Sequence, residues 1–210
     1  MKTRSSVLIL AAGIVSLIGC GKQSSPPLDV LVGIDVSGSA RPCLGGYVAP
    51  TLQLAERLTP DQDRLTVVRL DRDTRVVREG KLDGDVEGLA HTLRHELQPA
   101  AHGGTLPAAF WAVAAHRVQK AQQEGRGSVV LLLTDGDNDA LNTRPQLRQA
   151  VQSLATQKGL RTVVLAGIDA HNRATLESDL APLKTRLQPL LGPTELSADK
   201  VLAFLSESGR

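Results

Sequence analysis

The chain has 210 residues, a length that suits one domain of ordinary size and not two. Its 41% hydrophobic and 22% charged residues exclude a disordered chain, and only 2% aromatic residues predict a core of aliphatic side chains. The sequence contains 24 basic and 22 acidic residues, and two of the basic ones, Lys2 and Arg4, lie in a leader that we expect to be removed. Without them the positive and negative charges balance. A balanced chain with no basic run excludes nucleic-acid binding.

The first residues have the pattern of a secretory leader. Two basic residues precede the apolar stretch Val7–Ile18, which is too short to span a bilayer and is typical of the hydrophobic part of a signal peptide. The stretch ends in Leu-Ile-Gly-Cys at Cys20, which resembles the lipobox of bacterial lipoproteins. We therefore expect residues 1–19 to be a signal peptide and residues 20–27 to be a lipidated cysteine followed by a polar tether.

The lipobox resemblance implies a protein that is held on the bacterial cell envelope by a lipid on Cys20. Gly21 follows that cysteine, whereas Asp there is the usual signal for retention in the inner membrane, so we expect the outer membrane in a Gram-negative cell. If Cys20 carries lipid, Cys43 is the one remaining cysteine of the sequence, and no intrachain disulfide can form.

The first half of the chain beyond the tether contains strand patterns and one amphipathic helix. Leu28–Ile34 is an apolar run typical of a strand in a parallel sheet that is covered on both faces. Arg64–Leu70 and Thr74–Arg78 are separated by three residues, which predicts a hairpin and hence one antiparallel edge strand. The segment 85–97 has apolar residues at helical spacing and begins with Asp85, a favourable N-cap residue.

The second half alternates between helix and strand. The pattern predicts helices at Pro107–Glu124, Pro145–Lys158, around Arg173–Leu183 and around Ala198–Ser206, and strands at Ser128–Thr134 and Arg161–Ile168. We therefore expect residues 28–210 to form one α/β domain. Its sheet should be doubly wound and mostly parallel, with one antiparallel edge strand and helices on both faces.

Oxygen-bearing side chains follow these elements where a parallel sheet binds its ligands, beyond the carboxyl ends of the strands. Asp35, Ser37 and Ser39 come directly after the first strand, and alternation along an extended segment would place them on one side. Thr105 lies in a Gly-Gly-Thr loop before a helix, and Asp135 follows the strand at 128–134. Carboxylate and hydroxyl oxygens suit Mg²⁺, Mn²⁺ or Ca²⁺ and not zinc, so the sequence predicts a divalent-cation site.

The three motifs taken together resemble the metal-ion-dependent adhesion site of von Willebrand factor A domains. They are Asp-x-Ser-x-Ser beginning at Asp35, Gly-Gly-Thr ending at Thr105, and Thr-Asp-Gly around Asp135. The resemblance covers the chain from about Leu28 to its C-terminus. It implies a doubly wound sheet with one antiparallel edge strand, which agrees with the predicted hairpin.

The resemblance also implies roles for individual residues. Ser37, Ser39 and Thr105 would be hydroxyl ligands of the cation, while Asp35 and Asp135 would act directly or through water. The cation would be Mg²⁺, with Mn²⁺ or Ca²⁺ as alternatives. An Asp or Glu of a protein partner would complete the coordination, so the domain would bind a partner and not catalyse a reaction.

Two features of the sequence depart from the pattern of that family. The segment 40–50 is rich in Pro and Gly, which predicts that the helix expected after Ser39 is delayed or broken. Asp137 and Asp139 add negative charge beside Asp135. We expect this extra charge to raise the affinity for a cation and to disfavour an acidic partner by repulsion.

Two other functions remain open on the sequence alone. The first is a scaffold of the same fold that works without a metal. The second rests on Asp135 and Asp137, which follow an apolar strand as the nucleophile and the acid/base residue do in haloacid dehalogenase-like phosphohydrolases. Metal-dependent capture of a partner would separate the first alternative from the adhesion site, and phosphatase turnover that depends on Asp135 would reveal the second.

Overall fold

A computed structural model describes residues 26–99, 107–137, 143–195, 197, 199–201 and 203. The strands found in these ranges are β1 (Leu28–Asp35), β2 (Arg64–Leu70), β3 (Arg75–Lys81), β4 (Gly127–Leu133) and β5 (Leu160–Ala166). The α-helices of the same ranges are α1 (Leu44–Arg57), α2 (Val86–Glu96), α3 (Pro107–Gln123), α4 (Arg144–Ala155) and α5 (Ala170–Asp179). Short 3₁₀ helices lie at Arg41–Cys43, Ala181–Leu183 and Pro193–Glu195.

The strands form one sheet in the order β3-β2-β1-β4-β5. The central strand β1 pairs in parallel with β2 and with β4, and β4 pairs in parallel with β5. The edge strand β3 is antiparallel to β2, because the hairpin between them reverses the chain. The predicted α/β fold, mostly parallel with one antiparallel edge strand, is therefore confirmed.

Two hydrophobic clusters cover the two faces of the sheet, because side chains alternate along each strand. Val30, Val32 and Ile34 of β1 pack with α1 and α2, whereas Leu31 packs with α3 and α4 on the other face. Gly33 lets α3 approach closely, since a Cβ at this position would lie 2.5 Å from a ring carbon of Phe110. On this face of the sheet the ring of Phe110 therefore packs directly against the backbone of β1.

The helix after the first metal-site motif is delayed, as predicted, but it is not broken. A 3₁₀ turn at Arg41–Cys43 precedes α1, and α1 then continues for 14 residues through Pro50. Proline in a helix loses one backbone hydrogen bond. Here Tyr47, Pro50 and Leu54 all point into the core, so burial of this face offsets the loss.

The remaining helices lie close to their predicted positions. Asp85 caps α2, as expected, because its Oδ1 accepts a 2.7 Å hydrogen bond from the backbone N–H of Gly88. The helix α5 begins at Ala170, three residues before the predicted start, and a 3₁₀ turn replaces its predicted last turn. The signal peptide, Cys20 and most of the predicted last helix lie outside the described residues. None of the described helices has the length and apolar character needed to cross a membrane.

Candidate metal centre

Two acidic residues lie at the carboxyl edge of the sheet, on neighbouring strands. Asp35 ends β1, and Asp135 follows β4 by two residues. The parallel register pairs Ile34 with Leu133, so the segments that leave the two strands begin side by side. Both acidic residues are almost fully buried, at 0% and 3% exposed. Burial of two carboxylates at adjacent strand ends is costly unless hydrogen bonds or a cation compensate it.

Hydrogen bonds fix the carboxylate of Asp35. Its Oδ2 accepts a 2.7 Å bond from the Thr134 hydroxyl, and its Oδ1 accepts a 2.9 Å bond from the backbone N–H of Ser37. Thr134 Oγ1 accepts in turn from the backbone N–H of Gly136 at 3.0 Å. In the sequence, Thr134 stands out only as the first residue of the Thr-Asp-Gly motif. No local signal in the sequence identifies this contact, because it depends on the register of β1 against β4.

The hydroxyls of the two serines of the first motif lie close together, although the segment is not the extended one that the sequence suggested. Ser37 Oγ and Ser39 Oγ lie 3.2 Å apart, with Ser37 buried and Ser39 exposed. The backbone N–H of Ala40 donates to Ser37 Oγ at 3.5 Å, at the start of a turn. The segment therefore bends after Ser37, and this turn, not an extended strand, brings the two hydroxyls together.

Backbone N–H groups of two segments hold the loop that contains Asp135. Asp135 Oδ1 accepts from the N–H of Asp137 at 2.9 Å, and its carbonyl oxygen accepts from the N–H of Asp169 at 2.9 Å. Gly136 has φ +85°, and a Cβ there would lie 2.6 Å from Leu176. The Thr-Asp-Gly motif therefore needs its glycine both for backbone conformation and for space.

The two carboxylates influence each other. Burial raises the pKa of Asp35, hydrogen bonds from Thr134 and Ser37 lower it, and the negative charge of Asp135 raises it further. A cation between the two strand ends would offset this repulsion. Buried negative charge therefore lies at this edge of the sheet.

The donor set decides which cation fits. Four of the five predicted ligands, Asp35, Ser37, Ser39 and Asp135, lie at this edge, while Thr105 falls outside the described residues. In the described part of the chain, no three His, Cys, Asp or Glu side chains are placed to hold a metal. Any cation here would therefore depend on serine and threonine oxygens, which suit Mg²⁺, Mn²⁺ or Ca²⁺.

A cavity of about 240 Å³ adjoins the Thr134 loop. Trp111 of α3, Leu147 of α4, Asp137 and Arg144 are among the residues that line it. Trp111 is buried and packs edge to face on Phe110, so it belongs both to the core and to the wall of this cavity. Nε of Arg144 donates to both carboxylate oxygens of the buried Asp179, which ties α4 to the end of α5.

No protein-family model matches the chain, and no curated protein sequence matches it. Solved structures do match the fold of the chain. A von Willebrand factor type A protein from Catenulispora acidiphila superimposes with a TM-score of 0.70 at 21% identity, over 88% of this chain and 43% of the other. The manganese-loaded TRAP protein of Plasmodium vivax gives 0.62 at 18%, over 87% and 73% of the two chains. The conserved hypothetical protein BatB from Bacteroides thetaiotaomicron gives 0.60 at 14%, over 86% and 98%.

These similarities extend over 86–88% of this chain, although the chain spans less than half of the Catenulispora protein. At such low identity they establish the fold and nothing finer. The chain therefore has the fold of a von Willebrand factor type A domain, as the three motifs predicted.

Proposed function

We propose that this chain is a lipid-anchored protein of the bacterial envelope whose von Willebrand factor A domain binds a divalent cation. Through that cation it would bind an Asp or Glu of a protein partner. The observation that supports this most strongly is the pair of buried carboxylates, Asp35 and Asp135, at adjacent strand ends beside the 3.2 Å pair of Ser37 and Ser39 hydroxyls.

The residues that would hold the cation are Asp35, Ser37, Ser39, Thr105 and Asp135. The cation would supply positive charge that attracts an external carboxylate. Serine and threonine hydroxyls are neutral, so they leave more of the ion's charge for that carboxylate than a site made only of aspartates would. Mg²⁺ is the ion that we propose, with Mn²⁺ or Ca²⁺ as alternatives.

The fold supports a role in adhesion or in complex assembly. Among the structures of this fold, the Plasmodium vivax protein is loaded with manganese. We extend metal binding to the present chain because its own oxygen donors suit such an ion. The phosphohydrolase alternative gains nothing from the fold, and we propose a binding protein, not an enzyme.

The envelope location rests on the sequence. We propose that Cys20 carries the lipid and that the following tether holds the domain at the membrane, in the outer membrane of a Gram-negative cell. Mass spectrometry of the protein purified from membranes tests this directly. A mature N-terminus at an acylated Cys20 is the expected result, and an unmodified cysteine would remove the anchor from the proposal.

Thermal unfolding with single ions tests the cation site. The chain from Gly21 onward would be unfolded in EDTA and then with Mg²⁺, Mn²⁺ or Ca²⁺. An ion that binds only the folded state stabilises it by about 2.7 kcal/mol at a hundred times its Kd. Ser37→Ala and Asp135→Asn should abolish this shift, whereas Ser153→Ala, on the exposed side of α4, should keep it.

The same experiment decides between the proposal and the metal-free scaffold. A folded wild-type chain that shows no shift with any ion contradicts the cation site. An equal shift in Ser37→Ala and Asp135→Asn would mean that the ion binds elsewhere. A shift that only these two substitutions remove would justify a search for partners that are captured with Mg²⁺ and released by EDTA.

A further inference from the structure

The edge of the sheet opposite the candidate metal centre is the place where the chain enters the domain. The carbonyl of Pro27 accepts a hydrogen bond from the N–H of Gly127, at the start of β4, and the N–H of Leu28 donates to Asp63. We call this the amino edge, because β1, β2, β4 and β5 all begin there. Asp35 is the last of the eight residues of β1, so it lies about 23 Å from this edge at the usual rise of a strand.

Four basic side chains surround a shallow cavity of about 540 Å³ at the amino edge: Arg64, Lys81, Arg117 and Lys120. We call them the basic cluster. Arg64 at the start of β2 pairs in register with Lys81 at the end of β3. Arg117 and Lys120 are three residues apart on the second half of α3, so they face the same side. Three separate elements thus bring positive charge to one place.

The charge of the basic cluster is only partly neutralised. Arg117 forms an ion pair with Glu79, and Arg64 forms one with Glu124. Within the part of the chain that the structure describes, Lys81 and Lys120 make no ion pair, and both are exposed.

Two further charges border the cluster. Asp29 is buried beneath it, within the influence of Arg117, Arg64 and Arg126. Arg126 lies beside Glu124. The positive charge of Arg126 also acts on Asp29 and offsets the negative charge of that carboxylate. The surplus that remains is positive, and the exposed ammonium groups of Lys81 and Lys120 present it to solvent.

We propose that the basic cluster docks on anionic phospholipid headgroups and so holds the domain with its metal centre facing away from the membrane. The length of the tether supports this. Residues 20–27 span at most about 29 Å when fully extended, so a lipid on Cys20 would keep the amino edge close to the bilayer surface. The orienting role therefore rests on the lipid anchor proposed above.

The short tether would strengthen the attraction that this small positive surplus provides by itself. Each exposed Lys near an anionic surface contributes a modest attraction, which salt weakens within a Debye length. A short tether raises the local concentration of headgroups around the cluster and makes docking an intramolecular event. The docked face would need no apolar insertion, which agrees with the polar lining of the cavity by Thr66, Glu79 and the four basic residues.

The test uses the chain from Gly21 onward, which retains both hydrophobic clusters and lacks the lipid. Binding would be measured by co-sedimentation, in EDTA, with vesicles of phosphatidylcholine alone and with vesicles that contain about one-third phosphatidylglycerol. At low salt we expect roughly tenfold stronger binding to the anionic vesicles and loss of this difference at about 0.5 M salt. Neither the cation nor Cys20 takes part, so failure here is distinct from failure of the proposed function.

Matched charge reversals locate the contact. Lys81→Glu with Lys120→Glu should remove the preference for anionic vesicles. Arg72→Glu with Arg94→Glu changes the net charge equally, at exposed positions near the carboxyl edge, and should preserve most of the preference. Equal binding to both kinds of vesicle, equal loss in both double variants, or displacement by inorganic phosphate at constant ionic strength would each overturn the proposal.

Discussion

The hydroxyl of Thr134 donates a 2.7 Å hydrogen bond to Oδ2 of Asp35 and thereby joins the ends of β4 and β1. The two residues are 99 positions apart in the sequence. The bond orients the Asp35 carboxylate, whose other oxygen receives the N–H of Ser37. A cation at this edge would therefore meet a carboxylate whose position is set before the ion arrives, which reduces the entropy cost of binding.

Replacing Thr134 by Val should show what this bond contributes. The substitution keeps the shape of the side chain but leaves a buried carboxylate oxygen without its donor, which costs about 1–3 kcal/mol. Urea unfolding in EDTA measures the loss, and a Mg²⁺ titration measures the accompanying fall in cation affinity. Thr134→Ser keeps the hydroxyl and should lie close to wild type. A Val variant as stable as wild type, beside a destabilised Ser variant, would mean that packing of the threonine methyl, and not the hydrogen bond, is what matters.

Asp35 should give the metal-free protein an unusual dependence on pH. Burial raises its pKa in the folded state above the ordinary value of 3.8, so the folded state holds a proton that the unfolded state releases. Its contribution to stability therefore rises as the pH falls from above the folded pKa towards 3.8, and is absent at neutral pH.

Asp35→Asn tests this sign. In EDTA at neutral pH the substitution removes a buried charge, which favours the fold, but it also replaces one of the two oxygens that accept hydrogen bonds, which disfavours it. The pH dependence separates the two effects, because wild type should gain stability relative to Asp35→Asn as the pH falls towards 3.8. In saturating Mg²⁺ the same substitution should destabilise relative to wild type, because a ligand is lost. Thermal melts at several pH values, with and without the ion, measure both effects. A stability difference between wild type and Asp35→Asn that does not change with pH in EDTA would contradict the raised pKa.

The strands and the site loops could be predicted because each has a local signature. A strand buried on both faces has no polar alternation, which is why β1, β4 and β5 stood out in the sequence. Asp35 and Asp135 follow directly at the ends of two of these strands, where parallel sheets bind ligands.

Features that depend on contacts between distant segments could not be predicted. The continuation of α1 through Pro50 depends on packing of its buried face against the sheet, which overrides the local preference of proline. The bond from Thr134 to Asp35 needs the register of β1 against β4. The basic cluster joins β2, β3 and α3, whose lysines and arginines are scattered along the sequence.

Gly33→Ala should strain the centre of the domain. A Cβ at residue 33 would lie 2.5 Å from a ring carbon of Phe110, and both sides of β1 are fixed by neighbouring strands. Overpacking of this kind costs about 1–3 kcal/mol. Gly45→Ala, in the first turn of α1 with open space around it, is the matched control and should stabilise the chain by about 0.5–1 kcal/mol. Chemical denaturation of both variants decides, and an unchanged midpoint for Gly33→Ala would mean that the ring moves aside.

Asp137→Asn should weaken cation binding without removing it. The backbone N–H of Asp137 donates to Asp135 Oδ1, so the Asp137 side chain adds negative charge next to a proposed ligand, and an amide keeps its shape. We expect the affinity for Mg²⁺ to fall by roughly two- to fivefold at low salt, and the difference to shrink at about 0.5 M salt as the charge is screened.

Isothermal titration calorimetry measures the affinities of wild type and of Asp137→Asn. Asp73→Asn, in the exposed β2–β3 turn, is the control with a matched loss of charge. Equal weakening by both substitutions would show that net charge alone is responsible. Complete loss of binding in Asp137→Asn would instead make Asp137 a ligand of the ion.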